Sequence, residues 1–421
     1  MSEWKRYKLS DLYEMSSGIS STKEQAGHGS PFLSFSVVFN NYFLPDSLID
    51  LMDTTDGDKQ KYSINEGDIF LTRTSETVDE LAMSSVALKD YPEASFSGFL
   101  KRLRPVDKRI VYPKFMAFYL RSPLFRRTII NNTVMTLRAS FNEAMFSYLE
   151  IMLPDFDTQK KIGDFLYSLE KKKQTNNQIN QELEAMAKSL YDYWFVQFDF
   201  PDQNGKPYKS SGGKMVYHPG LKREIPEGWG VAKLNEVVDL ISGYPFSSND
   251  YVTSGKYKLY TIKNVQDGYT VDKVDNYLDF LPSNMSHECQ LRRGDLIMSL
   301  TGNVGRVGMV YEDDVLLNQR VLKLNPINKT HKSFIYSFFR SDVTKAHLEN
   351  MSTGTSQKNL SPIDIGNMMI PFPSESLLSK FLENLNMLEN NLVENQQLTK
   401  LRDWLLPMLI NGQVKVQDFT I

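Results

Sequence analysis

The chain has one cysteine, Cys289, so it cannot build an internal disulfide framework, and a reducing, cytoplasmic setting is expected. Long apolar runs are missing as well. No stretch nears the roughly 18 uninterrupted apolar residues of a membrane span. Met1-Ser2-Glu3-Trp4-Lys5 leads into no apolar run, so no secretory signal is expected. The five histidines, His28, His218, His287, His331 and His347, are scattered. His287-Glu288-Cys289 sets three potential ligands side by side, but adjacent residues point in different directions and nothing completes a tetrahedral set. Asp53, Asp56 and Asp58 lack the spacing and closing glutamate of a calcium loop. No metal site is expected.

Catalytic signatures are equally sparse. Gly212-Gly213-Lys214-Met215 and Gly302-Asn303-Val304-Gly305-Arg306 lack the spacing of a phosphate loop. A base methyltransferase needs a Gly-rich cofactor loop and a catalytic loop that stacks on an extruded base. Phe96-Ser97-Gly98-Phe99 holds a single glycine, and Asn325-Pro326-Ile327-Asn328 lacks the aromatic. Pro154-Asp155 and Pro201-Asp202 open as a nuclease core would, but no Glu-x-Lys strand follows. These absences leave binding as the expected activity.

Charge is present, but unevenly. The net charge of −3 conceals a basic tract of Lys101, Arg102, Arg104, Lys108, Arg109, Lys114, Arg121, Arg126, Arg127 and Arg138, with Asp107 as its only local acid. A solvated helix face would look similar. An uncompensated basic tract beside aromatics fits a phosphate-contacting surface better.

Two long helical patterns organise the rest. In residues 158–195, Ile162, Phe165, Leu169, Ile179, Leu183, Met186, Leu190 and Tyr193 recur at three- and four-residue steps, the seam of a coiled coil. Those residues would form a rod of roughly 57 Å. Lys172 and Asn176 interrupt the seam with polar groups, which fix register rather than add stability. Residues 374–411 carry a second stripe, Leu378, Phe381, Leu385, Leu388, Leu392, Leu398, Leu401, Leu405 and Leu409, with Pro407 expected to kink or end it. Each pattern follows a similar entry, Ile151-Met152-Leu153-Pro154 and Met368-Met369-Ile370-Pro371, which favours an antiparallel pair.

The chain is also written twice. Trp4-Lys5-Arg6-Tyr7-Lys8-Leu9 is echoed by Trp229-Gly230-Val231-Ala232-Lys233-Leu234, and Ser17-Gly18 by Ser242-Gly243. Glu66-Gly67-Asp68 matches Arg293-Gly294-Asp295, each a turn feeding an apolar strand. Leu100-Lys101-Arg102-Leu103-Arg104-Pro105 is answered by Val321-Leu322-Lys323-Leu324-Asn325-Pro326, and Arg138-Ala139-Ser140-Phe141-Asn142 by Thr355-Ser356-Gln357-Lys358-Asn359. Expected strands are 32–39, 68–72, 84–88 and 99–104, with counterparts at 257–262, 295–300, 307–311 and 320–324. The fold class is therefore α+β: two mixed α/β domains, each followed by a long helix, the helices pairing as an antiparallel coiled coil. The boundaries are 1–154, 155–198, a turn-rich exposed connector at 199–225, 226–371, and 372–421.

The ordered duplicate resembles the specificity subunit of type I restriction–modification systems over nearly the whole chain. Its carriers are the openings at Trp4 and Pro226, the turns at Gly67 and Gly294, the loop Gly354-Thr355-Ser356-Gln357-Lys358-Asn359-Leu360, and the endings Leu190-Tyr191-Asp192-Tyr193-Trp194-Phe195 and Leu409-Ile410-Asn411-Gly412. The first domain departs from this pattern, with Arg138 to Asn142 in place of the Gly-Thr-x-Gln-Lys loop. The resemblance implies that each α/β domain reads one half of a split duplex DNA site and that the helix pair sets the gap. Two modification subunits would dock on the helices. S-adenosylmethionine, and for restriction subunits ATP and magnesium, would reside on those partners, with no cofactor on this chain and no membrane association.

Within that frame, the expected DNA-contacting residues are Thr72, Arg73, Thr74, Lys101, Arg102, Arg126, Arg127, Arg138 and Ser140 in the first domain. In the second they are Ser299, Thr301, Asn303, Arg306, Gln357 and Lys358. Arginine can read guanine and Asn or Gln can read adenine, whereas the basic tract would bind phosphate. Expected partner-binding residues are Leu169, Ile179, Leu183, Leu190, Trp194, Leu392, Leu398 and Leu405. Two other classes stay open: a structural adaptor that reads no DNA, and a self-contained DNA-modifying enzyme or nuclease. Salt-dependent DNA binding and direct incubation with S-adenosylmethionine or magnesium discriminate them.

Overall fold

The computed structural model describes residues 4–133, 139–354 and 358–414. The chain forms two compact units, one built from residues up to Lys172 together with those from Leu398 onward, the other from Lys173–Gln397.

In the first unit the central sheet is antiparallel, in the order Tyr13–Ser17, Leu100–Pro105, Ile69–Thr72 and Ser84–Val86. Its side chains alternate between two cores. Ile69 and Leu71 enter a cluster with Phe115, Phe118, Ile162, Leu166, Leu406 and Leu409. Phe70 enters another with Leu33, Val38, Phe96 and Leu100. A sheet buried on both faces explains why these strands read as apolar runs rather than alternating ones.

The second unit repeats this arrangement. Its sheet runs Val238–Ser242, Val321–Pro326, Leu296–Ser299, Val307–Met309 and Gly268–Tyr269. Leu296 and Met298 face one core and Ile297 another. The duplicated openings close each domain: Lys5–Lys8 pairs antiparallel with Glu150–Leu153, and Gly230–Lys233 with Met369–Phe372. Each closing strand leads directly into a long helix, which accounts for the matching entries.

Two expectations change within and between the domains. The 32–39 strand divides: Ala26–Leu33 is strand, and Phe35–Asn40 is a short helix that buries Val38. The connector is structured. Phe200 stacks on Tyr208 with ring centroids 4.7 Å apart and on Trp229 at 5.3 Å, and Met215–His218 pairs with Arg223–Pro226. Aromatics spaced among turn-formers give this segment a small packed face. Pro154-Asp155 is the helix entry the sequence predicts: Asp155 accepts hydrogen bonds from the Thr158 N–H and hydroxyl, both at 2.9 Å, and caps the first long helix.

The long helices are Phe156–Tyr191, extended by a π-turn over Asp192–Val196, and Glu375–Ile410. Pro407 lies inside the second, which continues to Ile410; so close to the end, few backbone bonds remain to be lost. Their pairing is antiparallel. In the second unit Asn176 donates to Glu394 (2.7 Å) and Asn395 (3.0 Å), and Asn391 donates to Asn180 (2.8 Å). In the first, Arg402 donates to Glu170 at 3.0 Å.

The expected polar seam position Asn176 is buried, at 1% exposure. The seam itself is rotated from the expected one. Ile179 (37% exposed), Met186 (52%) and Tyr193 lie outside it and Asn180 lies within it, while Asn176 and Leu183 lie within it as expected. Asn180, which is absent from the expected stripe, pairs across the seam with Asn391 just as the expected Asn176 does with Glu394 and Asn395.

Candidate nucleic-acid interface

The Ser-Gly of each opening passes beneath a second loop. A Cβ on Gly18 would lie 2.2 Å from the Ser97 carbonyl oxygen, and one on Gly243 would lie 2.1 Å from that of Asn318. Only glycine permits such an approach. Ile19 bridges Ser97, and Tyr244 bridges Asn318. The duplication then holds bond for bond. The Phe99 N–H donates to Ser97 Oγ (3.2 Å) and the Arg320 N–H to Asn318 Oδ1 (3.4 Å). The Phe99 carbonyl accepts the Arg73 N–H (2.8 Å), and that of Arg320 accepts the Leu300 N–H (3.0 Å).

A third loop joins them. The Phe141 N–H donates to the Arg73 carbonyl (2.8 Å), and the Leu360 N–H to that of Leu300 (2.9 Å). Thr74 pairs with Ser140, and Thr301 with Asn359. Ser140 is therefore the counterpart of Asn359, and the sequence alignment of these loops must slide by two residues. Asn142 matches Ser361 instead; both cap short helices, accepting the N–H of Met145 and Asp364 respectively. In each unit three loop edges thus meet at one end of the central sheet.

The expected contact residues divide by burial. Arg73, Arg127, Asn303 and Lys358 are exposed, and Thr74, Arg126, Ser140, Thr301 and Arg306 are half-buried. Arg306 donates to Gln266 at 3.2 Å. Arg138 and Gln357 lie outside the described residues. Thr72 and Ser299 are equivalent and buried. Thr72 Oγ1 accepts the Met83 N–H at 2.9 Å, and the Ser299 hydroxyl donates to the Asn303 carbonyl and accepts the Arg306 N–H. They shape the loops from below and offer no hydroxyl to a ligand.

The basic tract is corrected most. Lys101 is buried, donating to Ser17 Oγ at 2.9 Å and to Glu143 at 2.6 Å, and its bond holds the Glu143 carboxyl below the ordinary range. Arg102 donates to the Ser63 carbonyl and lies 5.3 Å from the Phe96 ring centre; burial pushes its guanidinium below the usual value. Arg104 grips Asp68 through two bonds of 2.8 and 2.6 Å. Arg121 donates to the carbonyls of Ser84, Val38, Phe39 and Asn41, and burial pushes it down to about 10. These cations tie the domain together. Among the tract's expected contact residues, Arg126 and Arg127 reach the surface.

The expected partner-binding leucines are mostly internal. Leu183 is buried, and Leu190, Trp194 and Leu392 pack against the second unit's core, as Leu405 does against the first's. Leu169 and Leu398 are half-buried. Exposed apolar positions include Ile179, Met186 and Met387 on the helices of the second unit, and Leu401 and Trp404 in the first. Among the described residues no helix is long and apolar enough to cross a membrane, and no cluster of three or more His, Cys, Asp or Glu could hold a metal.

A duplicated α/β domain with three loop edges gathered at a sheet end, each domain followed by a long helix, defines a class of two-site recognition scaffold. Residues 1–185 and 226–401 both match the family described as the type I restriction modification DNA specificity domain, and the chain belongs to that family. It is 24% identical to the HindI type I restriction enzyme specificity subunit of Haemophilus influenzae, across 98% of this chain and all of that one. It is 26% identical to the MjaVIII specificity subunit of Methanocaldococcus jannaschii, over 66% of this chain and 65% of that one. Its fold is similar to the crystal structure of a type I restriction–modification S subunit from M. genitalium, with a TM-score of 0.56, 15% identity, and coverage of 100% of this chain and 97% of that chain.

Proposed function

We propose that this chain is the DNA-reading, non-catalytic subunit of a type I restriction–modification assembly, each unit reading one half of a two-part, asymmetric duplex site. The observation that supports it most directly is the repeated loop frame, whose backbone bonds are the same in both units while its exposed side chains differ. One scaffold used twice with different side chains suits two different half-sites. Arg73 with Ser140 would contact the first half-site, and Asn303, Arg306 and Lys358 the second, with Arg126 and Arg127 supplying phosphate contacts.

In this reading the long helices set the gap between half-sites and dock two modification subunits, which bring S-adenosylmethionine; restriction subunits add ATP and magnesium. The exposed Met186 and Trp404 are the better docking candidates, because the leucines of the stripes other than Leu401 are buried or half-buried.

The test is selection of bound duplexes from a randomised library by the full chain, with and without co-expressed modification subunits. Enrichment of one two-part motif with a fixed gap is expected. Enrichment of no sequence, or of a single contiguous motif, overturns the reading.

A further inference from the structure

Phe99 stands out among the exposed residues. The residue is 66% exposed, yet its backbone is held on both sides by Ser97 Oγ and the Arg73 N–H, and the Gly98 N–H donates to the Ile19 carbonyl at 2.7 Å. A large apolar side chain presented to water from a fixed backbone gains by being covered. The Arg73 guanidinium lies beside it, donating to the Gly98 carbonyl at 3.5 Å.

The same place in the second unit holds Arg320, exposed and held by the equivalent bonds. Two rigid, equivalent positions therefore present opposite chemistries at the loop edges. In a major groove an aromatic ring meets the thymine methyl group, whereas a guanidinium meets guanine O6 and N7.

Resting on the proposed DNA-reading role, we infer that Phe99 and Arg320 are paired specificity determinants: Phe99 reads a thymine methyl in one half-site, and Arg320 a guanine in the other. Fixed backbones at both positions leave only side-chain freedom to be lost when the contact forms.

The experiment measures binding of the full chain to its selected duplex, using base analogues. Uracil in place of the read thymine removes only the methyl, and 7-deazaguanine removes only N7. Uracil at one thymine of the first half-site should weaken the unaltered protein by about tenfold and leave Phe99→Ala unaffected. The deaza analogue at one guanine of the second half-site should behave the same way with Arg320→Ala. Phe99→Leu, which keeps an apolar contact, should retain part of the uracil sensitivity. Both residues are exposed, so melting curves should coincide with the parent's.

If the parent selects a two-part motif but both variants keep every analogue response, this inference is wrong and the DNA-reading role stands. If the variants weaken all sequences equally, the same conclusion follows. If the parent selects no motif, both fall.

Discussion

Gly18 runs beneath Ser97 so closely that a methyl group added to Gly18 would sit 2.2 Å from the Ser97 carbonyl oxygen. The Ser-Gly repeat of the sequence is thus the floor of the loop that carries Phe99, and Gly243 does the same beneath Arg320. Gly18→Ala should cost about 1–3 kcal/mol, since backbone must move to admit the methyl. It should also blur selection in the first half-site only, and Gly243→Ala in the second only. Denaturant melts and library selection check both; loss of selection in both half-sites from either change contradicts the assignment.

Arg402 lies in the second long helix, bonded to Glu170 and 4.9 Å from the centre of the Tyr42 ring, with both charged groups largely buried. Removing Arg402 takes a buried cation away from Glu170, Asp403 and the Tyr42 ring at once. Arg402→Ala should lower stability by about 3 kcal/mol, whereas an exposed change such as Lys400→Ala should stay near zero. Denaturant midpoints separate the two.

Asp155 caps the first long helix, and the Thr158 N–H and hydroxyl lower its pKa. A carboxylate whose folded pKa is depressed contributes stability that is present above the unfolded value. That contribution is lost as pH falls through the folded pKa. Asp155→Ala should therefore cost about 1 kcal/mol at neutral pH. Below about pH 4 the difference from the parent should begin to shrink, because the unfolded parent's carboxylate is protonated there first and the folded one follows at lower pH. A gap that widens on acidification would contradict the capping role.

Lys101 and Arg127 belong to one basic tract in sequence and to different environments in the fold. Arg127→Ala should weaken DNA binding across sequences and reduce the slope of log affinity against log salt by about one. Lys101→Met should lower stability, through Ser17 and Glu143, and leave that slope unchanged. Titrations at several salt concentrations distinguish them.

Architecture was largely legible in the sequence because it was written twice: paired openings, Gly-Asp turns and strand runs each find a counterpart in space. The long helices were legible in extent. Their seam was legible only in part, since Asn180, which pairs across it with Asn391, stands outside the apolar periodicity. The basic tract misled for a physical reason. Its counter-ions are distant in sequence: Asp68 for Arg104, Glu143 for Lys101 and Asp164 for Lys114. A local charge balance cannot register them. Phe99 and Arg320 escaped notice because an aromatic or arginine at a turn looks ordinary; their equivalence emerges only from the matched hydrogen bonds. The loop alignment slipped by two residues because Asn142 and Asn359 are the same amino acid in different roles.

The most direct test of the central claim is a base-resolution map of adenine methylation in cells with and without this chain, the modification subunit being present in both. Methylation at a single two-part motif with one fixed gap should vanish when the chain is removed. An unchanged map would contradict the claim that this chain chooses the site.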